Sequence, residues 1–104
     1  MFLVIFRNRK RADLDEAIYA QTAQNMENLA KIQPGFLSFK TYTSDDGEVV
    51  ALSEWESEGA ALSWRRQDQH RAAQEQGRQA FYDSYTLFAC DNPRVHQFSR
   101  EDKA

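Results

Sequence analysis

Glu54-Trp55-Glu56-Ser57-Glu58-Gly59-Ala60-Ala61-Leu62-Ser63-Trp64, continued by Arg65-Arg66-Gln67-Asp68-Gln69-His70-Arg71-Ala72-Ala73-Gln74-Glu75-Gln76-Gly77, is the stretch on which the reading of this chain turns. It joins an extended segment ending at Trp55 to a helical one that carries Trp64 and then His70. Two indoles and an imidazole around one strand-to-helix junction suit a pocket for a flat aromatic ligand, with apolar walls and one group that titrates near neutrality.

On the N-terminal side of this stretch, residues 2–8 alternate, with Phe2, Val4 and Phe6 on one face and Leu3 and Ile5 on the other. Both faces are apolar, so the strand belongs to a sheet covered on both sides. Asp13-Leu14-Asp15-Glu16 reads as a helix start, with Asp13 as cap and Glu16 reaching back to it. Leu14, Ile18, Thr22, Met26 and Leu29 recur at helical spacing, with Ala17 and Ile32 beside them. Pro34-Gly35 ends that helix. Residues 36–43 form a strand, Ser44-Asp45-Asp46-Gly47 a hairpin turn, and residues 48–56 the return strand.

A second helical region spans about Glu58 to Tyr82, either as one helix or as two joined near Gln67-Asp68, with Asp68 capping the second. The last strand starts near Ser84, Asn92-Pro93 interrupts it, and Val95 to Phe98 form a further extended piece. Residues 1–98 make one domain and 99–104 a frayed charged tail. The order β-α-β-β-α-β, with two right-handed crossovers, predicts an α+β ferredoxin-like fold: an antiparallel four-stranded sheet with helices on one face. The other face would stay open as an apolar patch, which a face-to-face homodimer, a dimeric α/β barrel, would cover.

The 104 residues suffice for one core. A net charge of −3 gives no reason to expect nucleic acid or an acidic membrane as partner. Arg7, Arg9, Lys10 and Arg11 read as a solvated strand-to-helix loop. The single cysteine, Cys90, excludes an internal disulfide and is expected to be buried. No stretch approaches a membrane span and no leader pattern is visible, so the cytoplasm is the expected compartment.

Pro34-Gly35-Phe36 opening a strand, Glu54-Trp55-Glu56-Ser57 closing another, Trp64, His70, and Ala80-Phe81-Tyr82 together resemble the antibiotic biosynthesis monooxygenase superfamily over roughly residues 2–98. The resemblance implies a dimer of ferredoxin-like subunits. Some members of the superfamily oxidise quinols and polyketide-type aromatics without metal or flavin, and others bind and degrade heme. The heme branch uses a first-strand Asn, a Trp on the second helix and a His ten residues later. Asn8 and Trp64 match it, whereas the tenth residue after Trp64 is Gln74, a poor iron ligand. Members resembling quinol monooxygenases carry a tryptophan at the strand end and a histidine at the position of His70.

The expected reaction is therefore a cofactor-free monooxygenation of a small aromatic such as a quinol with O₂. The alternatives are heme degradation and non-catalytic binding of a small ligand. The catalytic candidates are His70 as base, Trp64 as pocket wall and Asn8 as the polar group that orients substrate or oxygen. Trp55, Arg78, Phe81 and Tyr82 are candidate substrate contacts, although Trp55, Phe81 and Tyr82 suit a core equally well.

Overall fold

A computed structural model describes residues 1–102. Four strands, β1 (Phe2–Lys10), β2 (Phe36–Thr43), β3 (Val49–Trp55) and β4 (Tyr82–Asp91), form one antiparallel sheet in the order β2-β3-β1-β4. Helix α1 (Glu16–Lys31) crosses between β1 and β2, and α2 (Glu58–Arg66) with α3 (Asp68–Gln76) crosses between β3 and β4. This is the ferredoxin-like α+β arrangement. Among the described residues no helix is long and apolar enough to cross a membrane.

The helices cover the face that carries Phe2 and Val4. Phe2 pairs with Trp55 across the sheet, and both are buried with Ala30 of α1 and Ala61 of α2. Val4, Phe36, Ala60 and Trp64 pack around that cluster. Trp55, 1% exposed, is the anchor, and its indole N–H donates to the Ser53 hydroxyl at 3.1 Å. Gly35 permits the close approach of β2 to α2. Its φ is +82°, and a Cβ there would lie 2.5 Å from the Ala60 methyl.

Several elements differ from the sequence reading. β1 continues to Lys10 because β4 pairs with it that far, so Arg7, Arg9 and Lys10 lie on a strand. Arg7 and Arg9 reach Glu48 (3.4 Å) and Asp46 (2.7 Å) near the hairpin, and the basic cluster is largely ion-paired. The cap of α1 is Asp15, whose carboxylate accepts from the Ile18 N–H at 3.1 Å. Asp13 is instead held by Arg11 through two 2.9 Å contacts. The inward stripe of α1 is correspondingly Tyr19, Thr22, Met26 and Leu29, while Ile18 and Ile32 are exposed.

The second helical region divides at Gln67, whose side-chain oxygen caps α3 by accepting from the His70 N–H at 2.9 Å. Asp68 is the first residue of α3, and its neighbour takes the capping role. A wide π-type turn, Gly77–Phe81, then delivers the chain to β4 at Tyr82, two residues before the expected start. Asn92 turns the chain with φ 55°, and Val95 to Phe98 form no strand. Arg100–Asp102 make one 3-10 turn; residues 103–104 of the expected frayed tail lie outside the described residues. Cys90 is exposed, because β4 is an edge strand and Cys90 faces away from the helices beside Leu3.

Candidate functional site

The strand end and α2 build an aromatic stack. Ser57 caps α2 by accepting from the Ala60 N–H at 3.1 Å, which fixes the helix phase and brings Trp64 down onto Trp55. The two indoles are stacked with centroids 6.1 Å apart and planes at 24°. Phe36 meets Trp55 edge-on at 5.6 Å. The single-residue break at Gln67 then turns the chain so that His70 lies on Trp64, 4.0 Å between centroids and 12° between planes.

This geometry defines the protonation state of His70. Its Nδ1 lies 3.0 Å from the Trp64 carbonyl oxygen, which can only accept. Neutral His70 therefore carries its proton on Nδ1, leaving the Nε2 lone pair as the basic site. Burial pushes the His70 pKa below its ordinary value, the Trp64 carbonyl opposes that shift, and the charge of Arg65 adds to it. A neutral imidazole near pH 7, with one nitrogen fixed and the other without a partner among the described residues, is suited to accept a proton.

Asn8 stands elsewhere on the same sheet face. It pairs with Val49 and Tyr85, whereas Phe2 pairs with Trp55, so the six intervening steps of β1 place Asn8 roughly 20 Å along the strand from the Trp55 level. Asn8 is 3% exposed, and its side-chain oxygen is buried without a hydrogen-bond partner among the described residues. A buried amide oxygen left unpaired costs on the order of 1–3 kcal/mol, which a ligand donor would offset.

Around Asn8 lies a second aromatic group. Phe6 meets Tyr82 at 5.4 Å and Tyr85 at 5.2 Å, and Tyr19 of α1 meets Phe81 edge-on at 5.3 Å. The Tyr19 and Tyr82 hydroxyls are hydrogen-bonded, and burial raises both pKa values above the usual phenol range, so both stay protonated. The Lys10 ammonium lies 4.3 Å from the Tyr19 ring centroid. Arg78 is half exposed, held by Glu75 at 2.5 Å and hydrogen-bonded to Tyr85.

Helix α3 connects the two groups. Its inward stripe is His70, Ala73 and Gln74, continued by Gly77, against whose Cα the Tyr82 ring lies so closely that a Cβ would sit 2.7 Å from it. One end of the stripe therefore rests on the Trp64 stack and the other on the tyrosine group. Gln74 is half-buried, and its side chain has no hydrogen-bond partner among the described residues.

Of the seven expected site residues, Trp55, Trp64 and His70 are thus in one cluster, while Asn8, Phe81, Tyr82 and Arg78 gather at the other end of the helix-covered face. Trp55 and Phe81, at 1% and 4% exposure, are enclosed by protein. Tyr19, Tyr85, Gln67 and Gln74 also shape the region and were not singled out as site residues by the sequence reading. Tyr19 was findable, since Tyr19, Thr22, Met26 and Leu29 share helical spacing. The capping by Gln67 was not, because glutamine is an uncommon cap.

Gln74 offers an amide where the heme-degrading pattern has an imidazole, and an amide is a poor iron ligand, so that position fits heme poorly. Openings mark the helical layer. A groove of about 240 Å³ is lined by Gln33, Gly35, Glu56, Ala60, Ser63 and Trp64, among others. A cleft of about 420 Å³ separates α1 from α3.

A helix-covered antiparallel sheet with this aromatic and amide-bearing face defines a ferredoxin-like α+β protein. The chain belongs to the antibiotic biosynthesis monooxygenase family, whose model matches residues 1–76. It is 35% identical over 103 residues to the uncharacterized protein YqjZ of Bacillus subtilis, covering 97% of this chain and 89% of that one. The Rv0793 structure of Mycobacterium tuberculosis superposes with a TM-score of 0.78 at 21% identity, covering 94% of this chain and 98% of that one. SnoaB, a cofactor-independent oxygenase of Streptomyces nogalater, superposes with a TM-score of 0.75 at 14% identity, covering 90% and 94%.

Proposed function

We propose that this chain is a cofactor-independent monooxygenase that converts a small electron-rich phenol or quinol with O₂, working as a homodimer. The observation that carries the reading is His70: a half-buried imidazole with Nδ1 tied to the Trp64 carbonyl, a depressed pKa, and Nε2 without a partner among the described residues. The family supplies the reaction class. SnoaB is a structural neighbour that works without a cofactor.

In this reading Nε2 of His70 takes the phenolic proton. The phenolate then passes one electron to O₂, and the resulting radical pair joins at a ring carbon to form a C–O bond. The hydroperoxide so formed loses water across its O–O and C–H bonds. One oxygen atom ends in a new carbonyl, the other in water, and the substrate supplies all four electrons. Trp64 holds the base in place through the ring stack, and Asn8, at the other end of the helix-covered face, takes no part in this proton transfer.

The dimer rests on the helix-free face, where Leu3, Ile5, Val50, Leu52 and Phe88 lie on adjacent strands, with Phe88 47% exposed. The test of the activity is oxygen uptake with a panel of hydroquinones and naphthoquinols, corrected for autoxidation, in wild type and His70→Ala. Protein-dependent uptake that falls with the substitution supports the reading. Uptake equal in both would remove His70 as the base, and no uptake across the panel would remove the quinol reading.

A further inference from the structure

The polar fastenings of helix α3 lie at its two ends. Gln67, with φ −62° and ψ 132°, is the single extended residue between α2 and α3. The π-type turn Gly77–Phe81 is the joint to β4. His70 meets the Trp64 carbonyl at 3.0 Å near the first joint. Glu75 holds Arg78 and Gln79 of the second at 2.5 and 2.9 Å. Among the described residues no α3 side chain hydrogen-bonds or ion-pairs with α1 or with the sheet.

Between the joints the helix is loosely seated. α3 buries no residue fully, and none of its residues joins the cluster of Phe2, Ala30, Trp55 and Ala61. Thr22 and Met26 of α1 line the open cleft of about 420 Å³ with Ala72 and Ala73 of α3, and no charged side chain lines that seam. Packed helices ordinarily fill such a seam with interdigitating side chains. An element with few buried apolar contacts opens at a lower free energy than the core around it. On the sheet face below, the Asn8 oxygen is buried and has no hydrogen-bond partner among the described residues. A molecule from solvent reaches that level only if a covering element moves.

We infer that α3 is a lid that carries the proposed base. It rolls about the line through Gln67 and Gly77, widening the α1–α3 seam and uncovering the sheet face between the Trp64 stack and the tyrosine group. Hinges of this kind are a few element-terminal residues that absorb the change in φ and ψ. The Tyr82 ring lies close against Gly77, so that end turns in place. The latch is His70, whose ring grips Trp64 of the neighbouring helix. Closing lays the imidazole on Trp64 and presents Nδ1 to the Trp64 carbonyl, so the tautomer with a basic Nε2 is set only in the closed state. Closure and assembly of the base are then one event. The motion rests on the packing of α3 alone, and what it serves rests on the oxygenase reading.

The test is thiol labelling of the full chain by 4,4′-dithiodipyridine, in a Cys90→Ser background because Cys90 is exposed. Asn8→Cys places a thiol beneath the lid, and Ala30→Cys, in the buried cluster, is the reference for global unfolding. The Asn8→Cys thiol should react about tenfold or more faster than the Ala30→Cys thiol. Low urea should leave that faster rate unchanged, since a rolling helix exposes little new surface. Adding His70→Ala releases the latch and should speed the Asn8→Cys reaction by about a further tenfold, the scale of one lost ring stack and hydrogen bond. Equal rates at the two thiols, both rising with urea, or a rate unmoved by His70→Ala would overturn the lid. If Asn8→Cys fails to fold by circular dichroism, Val49→Cys takes its place with the same outcomes, because Val49 lies opposite Asn8 in register and is 8% exposed. Oxygen uptake keeps the two readings apart. Wild-type protein that takes up no oxygen with any quinol loses the oxygenase reading, and labelling still decides the lid. Labelling through global unfolding alone removes the lid and leaves any uptake standing.

Discussion

His70 lies on Trp64 twice over: its ring is stacked on the indole at 4.0 Å, and its Nδ1 meets the backbone carbonyl of the same residue at 3.0 Å. The first contact desolvates the imidazole and the second selects its tautomer. The face of Trp64 beneath His70 is thereby occupied, so a substrate ring must meet Nε2 from another side.

The depressed pKa of His70 has a definite consequence for stability. Its folded value lies below the ordinary 6.5 taken for the unfolded chain. The unfolded state therefore binds more protons in the interval between the two. The stabilisation from burying a neutral His70 is complete above pH 6.5 and is lost as pH falls through that interval. Urea midpoints at pH 5 and pH 7 should differ more in wild type than in His70→Gln, and equal differences would refute this account. Oxygen uptake should fall in the same acid range, as the base becomes protonated.

Trp55 and Trp64 are separable by substitution. Trp55 is enclosed and anchors the core, so Trp55→Ala should cost about 4 kcal/mol of unfolding free energy. Trp64 is half-buried, and Trp64→Ala should cost about half as much. Removing the indole also rehydrates His70, so its pKa should rise toward the ordinary value. Proton NMR titration of the His70 ring resonances reads this directly. An unmoved His70 titration would show that the stack is not what buries it.

Gly35 and Gly47 both have positive φ, yet only one is crowded. At Gly47 a Cβ meets nothing within 4 Å, so Gly47→Ala should cost roughly 1–2 kcal/mol, the left-handed backbone penalty alone. At Gly35 it would lie 2.5 Å from the Ala60 methyl, and the added overpacking should bring the cost of Gly35→Ala to roughly 3 kcal/mol. Denaturant midpoints of the two variants test the order, and equal losses would mean that α2 shifts freely to make room.

The helix-free face makes its own prediction. Ile5 is central on it, between Leu52 of β3 and Phe88 of β4. Ile5→Lys should convert a dimer into a monomer in light scattering while leaving the far-ultraviolet circular dichroism intact. A wild type that is already monomeric would remove the proposed dimer outright.

Much of this protein is legible in its sequence because local rules decide it. Alternation in residues 2–8, the Asp45-Asp46-Gly47 turn, the Pro34-Gly35 stop and the polar break at Gln67-Asp68 specify the element order, and with right-handed crossovers that order leaves little choice of topology. The cluster of Trp55, Trp64 and His70 is equally local, since one strand end and two consecutive helices deliver it. The remaining features depend on which partner competes for a group. Asp13 had the spacing of a cap, but Arg11 claims its carboxylate and Asp15 takes the role. β1 runs to Lys10 because β4 pairs with it, an interaction between residues far apart in the chain. The distance of Asn8 from the Trp55 level is likewise a matter of register, which the alternation pattern leaves open. The orphaned oxygen of Asn8, the tyrosine group around it and the uncharged seam between α1 and α3 exist only once the elements are packed. No local rule records which side chain another element leaves unpaired.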